Sequence, residues 1–147
     1  MSESIIIENL SKYYNKFLAL DNLCLRVEEN ENVGLLGPNG AGKSTTLKIL
    51  CGLIRASSGT AYINGINVTE KPEQALSKIG AIVETPDFYS FLTPEEILSY
   101  LGRLRGMRGD ELKRRIREVI RLVRLEEWIN VKIEKFSRGM KQRLALA

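Results

Sequence analysis

The sequence predicts an α/β fold, strand-rich in its first half and helical in its second, on three observations. Gly37-Pro38-Asn39-Gly40-Ala41-Gly42-Lys43-Ser44 fits G-x-x-x-x-G-K-[ST] at every fixed position. It follows the apolar run Val33-Gly34-Leu35-Leu36, read as a buried strand, and precedes a helix expected over Thr45 to Cys51, which is the context this motif requires. Before the motif, apolar residues alternate with period two; beyond Thr85 they recur at helical spacing.

Taken in order, Ile5-Ile6-Ile7 and then Leu23, Leu25 and Val27 read as two antiparallel strands separated by a polar, aromatic turn from Ser11 to Lys16, which places Tyr13 or Tyr14 on a loop. Such a tyrosine either covers the edge of a core or offers its ring to a ligand. After the first helix, Gly52 and Ser57-Ser58-Gly59 mark a break, and Thr60 to Ile63 with Asn64-Gly65 read as a strand and tight turn. Ile79-Gly80-Ala81-Ile82-Val83 reads as a short buried strand ending at Glu84. Thr93-Pro94-Glu95-Glu96 then opens a helix, with Thr93 as cap, Pro94 in the first turn and Glu96 closing a capping box. Gly102 to Gly109 is an inter-helix connection. From Asp110, the residues Leu112, Ile116, Val119, Ile120 and Val123 share one stripe, with Lys113, Arg114, Arg117, Arg121 and Arg124 off it. That basic face reads either as a nucleic-acid contact or as a solvated face beside Glu111 and Glu118; the lack of interleaved aromatics favours the second.

The bulk numbers bound the class. At 147 residues and 44% hydrophobic content the chain suits one domain with a real core. No apolar stretch approaches the roughly 20 residues a membrane span needs, and Met1-Ser2-Glu3-Ser4 does not open a signal peptide, so a cytoplasmic location is expected. The formal charge of +4 is mild and does not choose a partner. Cys24 and Cys51 lack metal-ligand spacing and read as small buried apolar residues. Histidine is absent, which removes it from any catalytic role in this stretch.

The chemistry of the glycine-lysine loop is phosphate binding. Glycines let the backbone wrap closely around phosphate oxygens, and the following helix presents its positive end to the anion. Lys43 reaches the β and γ phosphates, Ser44 holds Mg2+, and Thr45 touches the α phosphate. Gly37, Pro38, Asn39, Gly40, Ala41 and Gly42 supply the cradle.

Further along, Phe136-Ser137-Arg138-Gly139-Met140-Lys141-Gln142-Arg143-Leu144 resembles the signature sequence of ATP-binding cassette (ABC) ATPases. Ser137 also reads as the N-cap of a short helix, and the two roles are compatible. The resemblance covers the whole chain, because phosphate loop, strand with a polar end, helical insert and signature come in the family's order. It implies an ABC-type nucleotide-binding domain of phosphate-loop NTPase fold. Residues 1–84 would form the antiparallel β subdomain with the RecA-like, phosphate-loop core, and residues 85–147 the Q-loop and helical subdomain as far as the signature helix.

The resemblance also implies roles. In the family, the positions of Ser137, Arg138, Gly139 and Met140 meet the γ phosphate of ATP held by the opposite subunit of a head-to-tail dimer. Leu10-Ser11-Lys12-Tyr13-Tyr14-Asn15 looks like the segment whose aromatic residue stacks on adenine, matching Tyr14, with Tyr13 in reserve. Glu84 falls where most members carry the Q-loop glutamine, a ligand of magnesium and of the attacking water that couples to the membrane partner. A glutamate can serve a hard cation through oxygen; a strand-ending surface acid is the alternative. Arg138 and Met140 depart from the family's glycine and glutamine, in the manner of the bacitracin and antimicrobial-peptide exporters.

The sequence stops at Ala147, before the positions where the family places Walker B, the catalytic glutamate and the switch histidine. A fragment of a longer cassette is therefore expected, binding ATP without turning it over by itself. The expected partners are a second nucleotide-binding subunit and a membrane-spanning permease at the inner face of the membrane, with no nucleic acid. An ABC ATPase acting on nucleic acid or ribosomes is the alternative.

Overall fold

The computed structural model describes residues 3–77, 79–83 and 86–147. They form two compact units, Met1–Val83 and Glu84–Ala147.

In the first unit, β1 (Glu3–Tyr14) and β2 (Phe17–Glu28) pair as an antiparallel hairpin. Its turn is only Asn15-Lys16, with Asn15 in the left-handed region at φ 54°. The expected turn from Ser11 is thus corrected. Lys12 pairs with Leu20, Tyr13 with Leu18 and Tyr14 with Phe17, so both tyrosines extend β1 instead of lying on a loop. Tyrosine suits such a pleated, half-exposed position, and the cross-strand pairs hold it there. β3 (Ser58–Ile63) adds to the other side of β1, and β4 (Ile66–Asn67) follows it. The turn between them is Asn64-Gly65 with both φ values positive, which matches the right-handed twist of the strands it joins.

The antiparallel sheet, in order β2-β1-β3-β4, buries one face beneath α1 (Lys43–Leu50) and α2 (Pro72–Leu76). Ile7, Leu10, Leu20, Ala61 and Ile63 from the sheet close on Ile49 and Leu50 of α1 and Ala75 of α2. This packing anchors the helix that follows the glycine-lysine loop. Cys24 is exposed, contrary to expectation, because it alternates with the inward-leaning Leu23 and Leu25 and so faces outward. Cys51 is half-buried at the end of α1, where burial pushes its thiol pKa up.

Two expected strands are not formed. Val33–Leu36 and Ile79–Val83 lack strand structure, and Leu36 is 92% exposed. A strand of a parallel sheet needs neighbours to take its N-H and C=O groups, and among the described residues no segment pairs with either run.

The second unit is helical: α3 (Pro94–Leu104), α4 (Gly109–Leu122) and α5 (Arg138–Leu146), with 3-10 turns at Glu126–Trp128 and Ile133–Lys135. The capping box at α3 is formed in full: Glu96 N-H donates to Thr93 Oγ1 at 3.3 Å, and Thr93 N-H donates to Glu96 Oε2 at 2.8 Å. Ile97, Leu112, Ile116, Ile120 and Val123 enclose the core with Leu125, Ile133, Phe136 and Leu144. No helix among the described residues is long and apolar enough to cross a membrane.

Candidate functional site

Gly40 and Gly42 adopt φ 87° and 84°, values costly for a residue with a Cβ. At Gly42 the requirement is steric as well: a Cβ would lie 2.8 Å from the Ala19 carbonyl oxygen and 3.0 Å from Leu20 Cδ1. Glycine there lets the loop rest against β2. It also makes Gly42 an N-cap with no side chain to satisfy the start of α1, whose first turn carries no acidic residue. The first intrahelical bond runs from Thr46 N-H to Gly42 O at 2.8 Å, and the buried Thr46 hydroxyl donates to the same carbonyl at 3.0 Å. The N-H groups of Lys43, Ser44 and Thr45 precede that bond, at the positive end of the helix. Such an end is a ready anion site.

Lys43 Nζ donates to Gly37 O and to Pro38 O, each at 2.6 Å. Two of its three ammonium donors therefore brace the start of the loop. The Ala41 N-H donates to Pro38 O at 3.2 Å and tightens the bend.

A cavity of about 280 Å³ joins this loop to the hairpin. Residues 39–45 form one wall; Tyr14, Phe17 and Ala19 form the other. Of the residues assigned to the phosphate loop from sequence, Gly37 and Pro38 lie outside the lining and take part through their carbonyls, while Tyr14 and the rest share one space. Tyr14 and Phe17 face each other across the end of the hairpin and are 45% and 65% exposed. Lys12 Nζ lies 5.2 Å from the Tyr14 ring centroid and donates to Arg55 O at 2.7 Å, so a cation rests on the ring. Phe17 is the site residue that sequence reasoning missed. Its signal was the hairpin register: once the turn is Asn15-Lys16, Phe17 must stand opposite Tyr14.

For magnesium, the donor set is spare. Among the described residues no three His, Cys, Asp or Glu side chains gather as a metal site, and the Ser44 hydroxyl is an exposed oxygen donor on the loop. That suits Mg2+, which keeps several waters and leans on substrate phosphates with one or two protein ligands. Glu84 lies outside the described residues.

In the second unit, Ser137 caps α5, its Oγ accepting from Met140 N-H at 3.3 Å. Arg143 on the same helix donates to Val123 O and Arg124 O at 3.3 and 2.9 Å, which ties α5 to the end of α4. Ser137, Arg138 and Gly139 are exposed at the helix start, whereas Met140 leans into the unit's core. Arg138 and Lys141 line a cavity of about 460 Å³ with Pro86, Asp87 and Phe136.

A helix that begins uncapped behind a glycine-lysine loop, with two aromatic rings on the facing hairpin, defines a phosphate-loop nucleotide-binding protein. The chain belongs to the ABC transporter family, whose model matches residues 20–147. It is 43% identical over 141 residues to the ABC transporter ATP-binding protein YxlF of Bacillus subtilis, covering 96% of this chain and 46% of that one. It is 40% identical over 147 residues to the bacitracin transport ATP-binding protein BcrA of Bacillus licheniformis, covering 100% and 47%. The fold matches a dimeric, post-hydrolysis ATP-binding cassette bound to ADP and Pi with a TM-score of 0.82 at 29% identity, over 97% of this chain and 67% of that chain. The chain thus spans about half the length of the curated relatives it matches.

Proposed function

We propose that the chain is the ATP-binding part of an ABC exporter subunit of the antimicrobial-peptide type, working with Mg2+ in a head-to-tail dimer beside a membrane permease at the inner face of the membrane. The observation that carries the ATP reading is the shared cavity: seven consecutive loop residues on one side, and the Tyr14 and Phe17 rings on the other. The loop amides and the α1 N-terminus take the phosphates, and the rings take the base. Lys43 gives the β and γ phosphates a mobile positive charge, and Thr45 meets the α phosphate. Mg2+ held by Ser44 would neutralise phosphate charge and orient the terminal group.

Ser137 and Gly139, with Arg138 and Met140 beside them, present an exposed helix start suited to the γ phosphate of the partner subunit's ATP. The solved cassette is dimeric, which supports a dimer, and the identity to a bacitracin transport protein supports a transported substrate of the antibiotic-peptide class. Catalysis needs positioned carboxylates as well as charge on the phosphates, and ATP binding is the property proposed for residues 1–147. Titration of this chain with a fluorescent ATP analogue tests the reading. Saturable binding competed by ATP but not by adenosine is expected; binding indifferent to the phosphates would overturn it.

A further inference from the structure

We infer that the groove between α3 and α4 is a second anion site, built for a phosphate-bearing group and separate from the ATP cavity. The groove encloses about 640 Å³, within the range of small-molecule sites. Arg103 from α3, Arg108 just before α4, and Lys113 and Arg117 from α4 line it, against a single acid among the described residues, Glu95. None of these four cations forms an ion pair or side-chain hydrogen bond among the described residues, although Arg115, one position from the groove wall, pairs with Glu118 at 3.0 Å. Lys113 and Arg117 stand at i and i+4 on one helix, a like-charge pair that weakens a helix unless something answers it.

The lining chooses the ligand's chemistry. Three of the four cations are arginines, whose planar forks match phosphate oxygens two at a time. An excess of three positive charges over Glu95 calls for an anion carrying two or more charges. The floor is apolar, made of Leu112, Ile116 and Ile129, so the ligand joins its phosphate to an apolar body or lies at a boundary with one. No aromatic ring among the described residues lines the groove, which leaves nucleic-acid bases without a stacking surface there. A soluble phosphate ester and an anionic lipid headgroup share the required chemistry. The site is independent of the ATP reading.

Trp128 is the chain's single tryptophan and adjoins Ile129 of the groove floor, so its fluorescence reports occupancy. Inorganic tripolyphosphate is titrated into the chain carrying Lys43→Ala, which suppresses the loop's own binding. Co-sedimentation with phosphatidylcholine vesicles, with and without phosphatidylglycerol, forms the lipid arm. Arg103→Glu with Arg117→Glu should weaken binding about tenfold or more, while Arg114→Glu with Arg121→Glu, the same charge change off the groove, should leave it within about twofold. Response to tripolyphosphate assigns a soluble ligand, and response to phosphatidylglycerol alone assigns a headgroup. If the reversed pair fails to fold by circular dichroism, Arg103→Gln with Lys113→Gln replaces it. Binding of neither probe, or equal loss in groove and off-groove variants, overturns the site.

Discussion

Lys43 turns its ammonium to a phosphate by exchanging one or both of its short bonds to Gly37 O and Pro38 O. The exchange is favourable because a phosphate oxygen carries formal charge and a carbonyl does not; a hydrogen bond between charged groups contributes about 1.5–3 kcal/mol. Lys43→Ala should therefore weaken ATP binding roughly 10- to 100-fold, measured by titration with a fluorescent ATP analogue; unchanged affinity would remove the loop from the phosphate site. Phe17 supplies the complementary test at the other end of the cavity. Stacking of a base on an aromatic ring contributes about 1–3 kcal/mol, so Phe17→Ala should cost ATP affinity fivefold or more while leaving inorganic pyrophosphate binding as it was. Parallel losses for both ligands would make Phe17 a structural support for the hairpin. The loop was legible in the sequence because its function is local, eight consecutive residues whose types are dictated by φ and by charge. Phe17 was not, since its place depends on where β1 ends and β2 begins.

At the scale of elements, Ser137 holds two roles that a well-chosen substitution separates. Its hydroxyl caps α5 through Met140 N-H, and its removal by Ala costs about 1 kcal/mol of helix stability. Aspartate caps as well as serine does, yet sets a negative charge at the helix start, where the proposed partner phosphate arrives. Ser137→Asp should thus keep the melting temperature and the ATP affinity of a single chain, and abolish ATP-dependent dimerisation of the full-length protein in gel filtration. Loss of ATP by the isolated variant would show that Ser137 serves its own chain's nucleotide. Caps of this kind were readable in advance, at Thr93-Glu96 as at Ser137, because cap and helix are neighbours in sequence. α2 was missed, being five residues long with no apolar period to announce it.

The whole molecule carries an open consequence of the runs that do not become strands. Val33, Leu35 and Leu36 are 45%, 37% and 92% exposed, just before the loop that the proposed function depends on. Their apolar character was read as burial within a parallel sheet, and that reading needed a neighbour which no local pattern could supply: pairing is a property of distant segments, whereas periodicity is a property of near ones. An apolar run with free N-H and C=O groups is a template for a second chain. The relatives this chain matches are about twice as long as it is. The 147-residue chain alone should therefore self-associate through residues 33–36, and Leu36→Lys, which places a charge on that edge, should shift it toward monomer in sedimentation velocity without weakening ATP binding, since Leu36 does not line the cavity. Phosphate release provides the second half of the measurement. The chain alone, associated or charged to monomer, should release none, while a version extended to the relatives' length should turn over. A wild-type chain that sediments as a monomer would show that residues 33–36 are not an interface. Turnover by that chain would mean that residues 1–147 already hold the carboxylate that positions the attacking water.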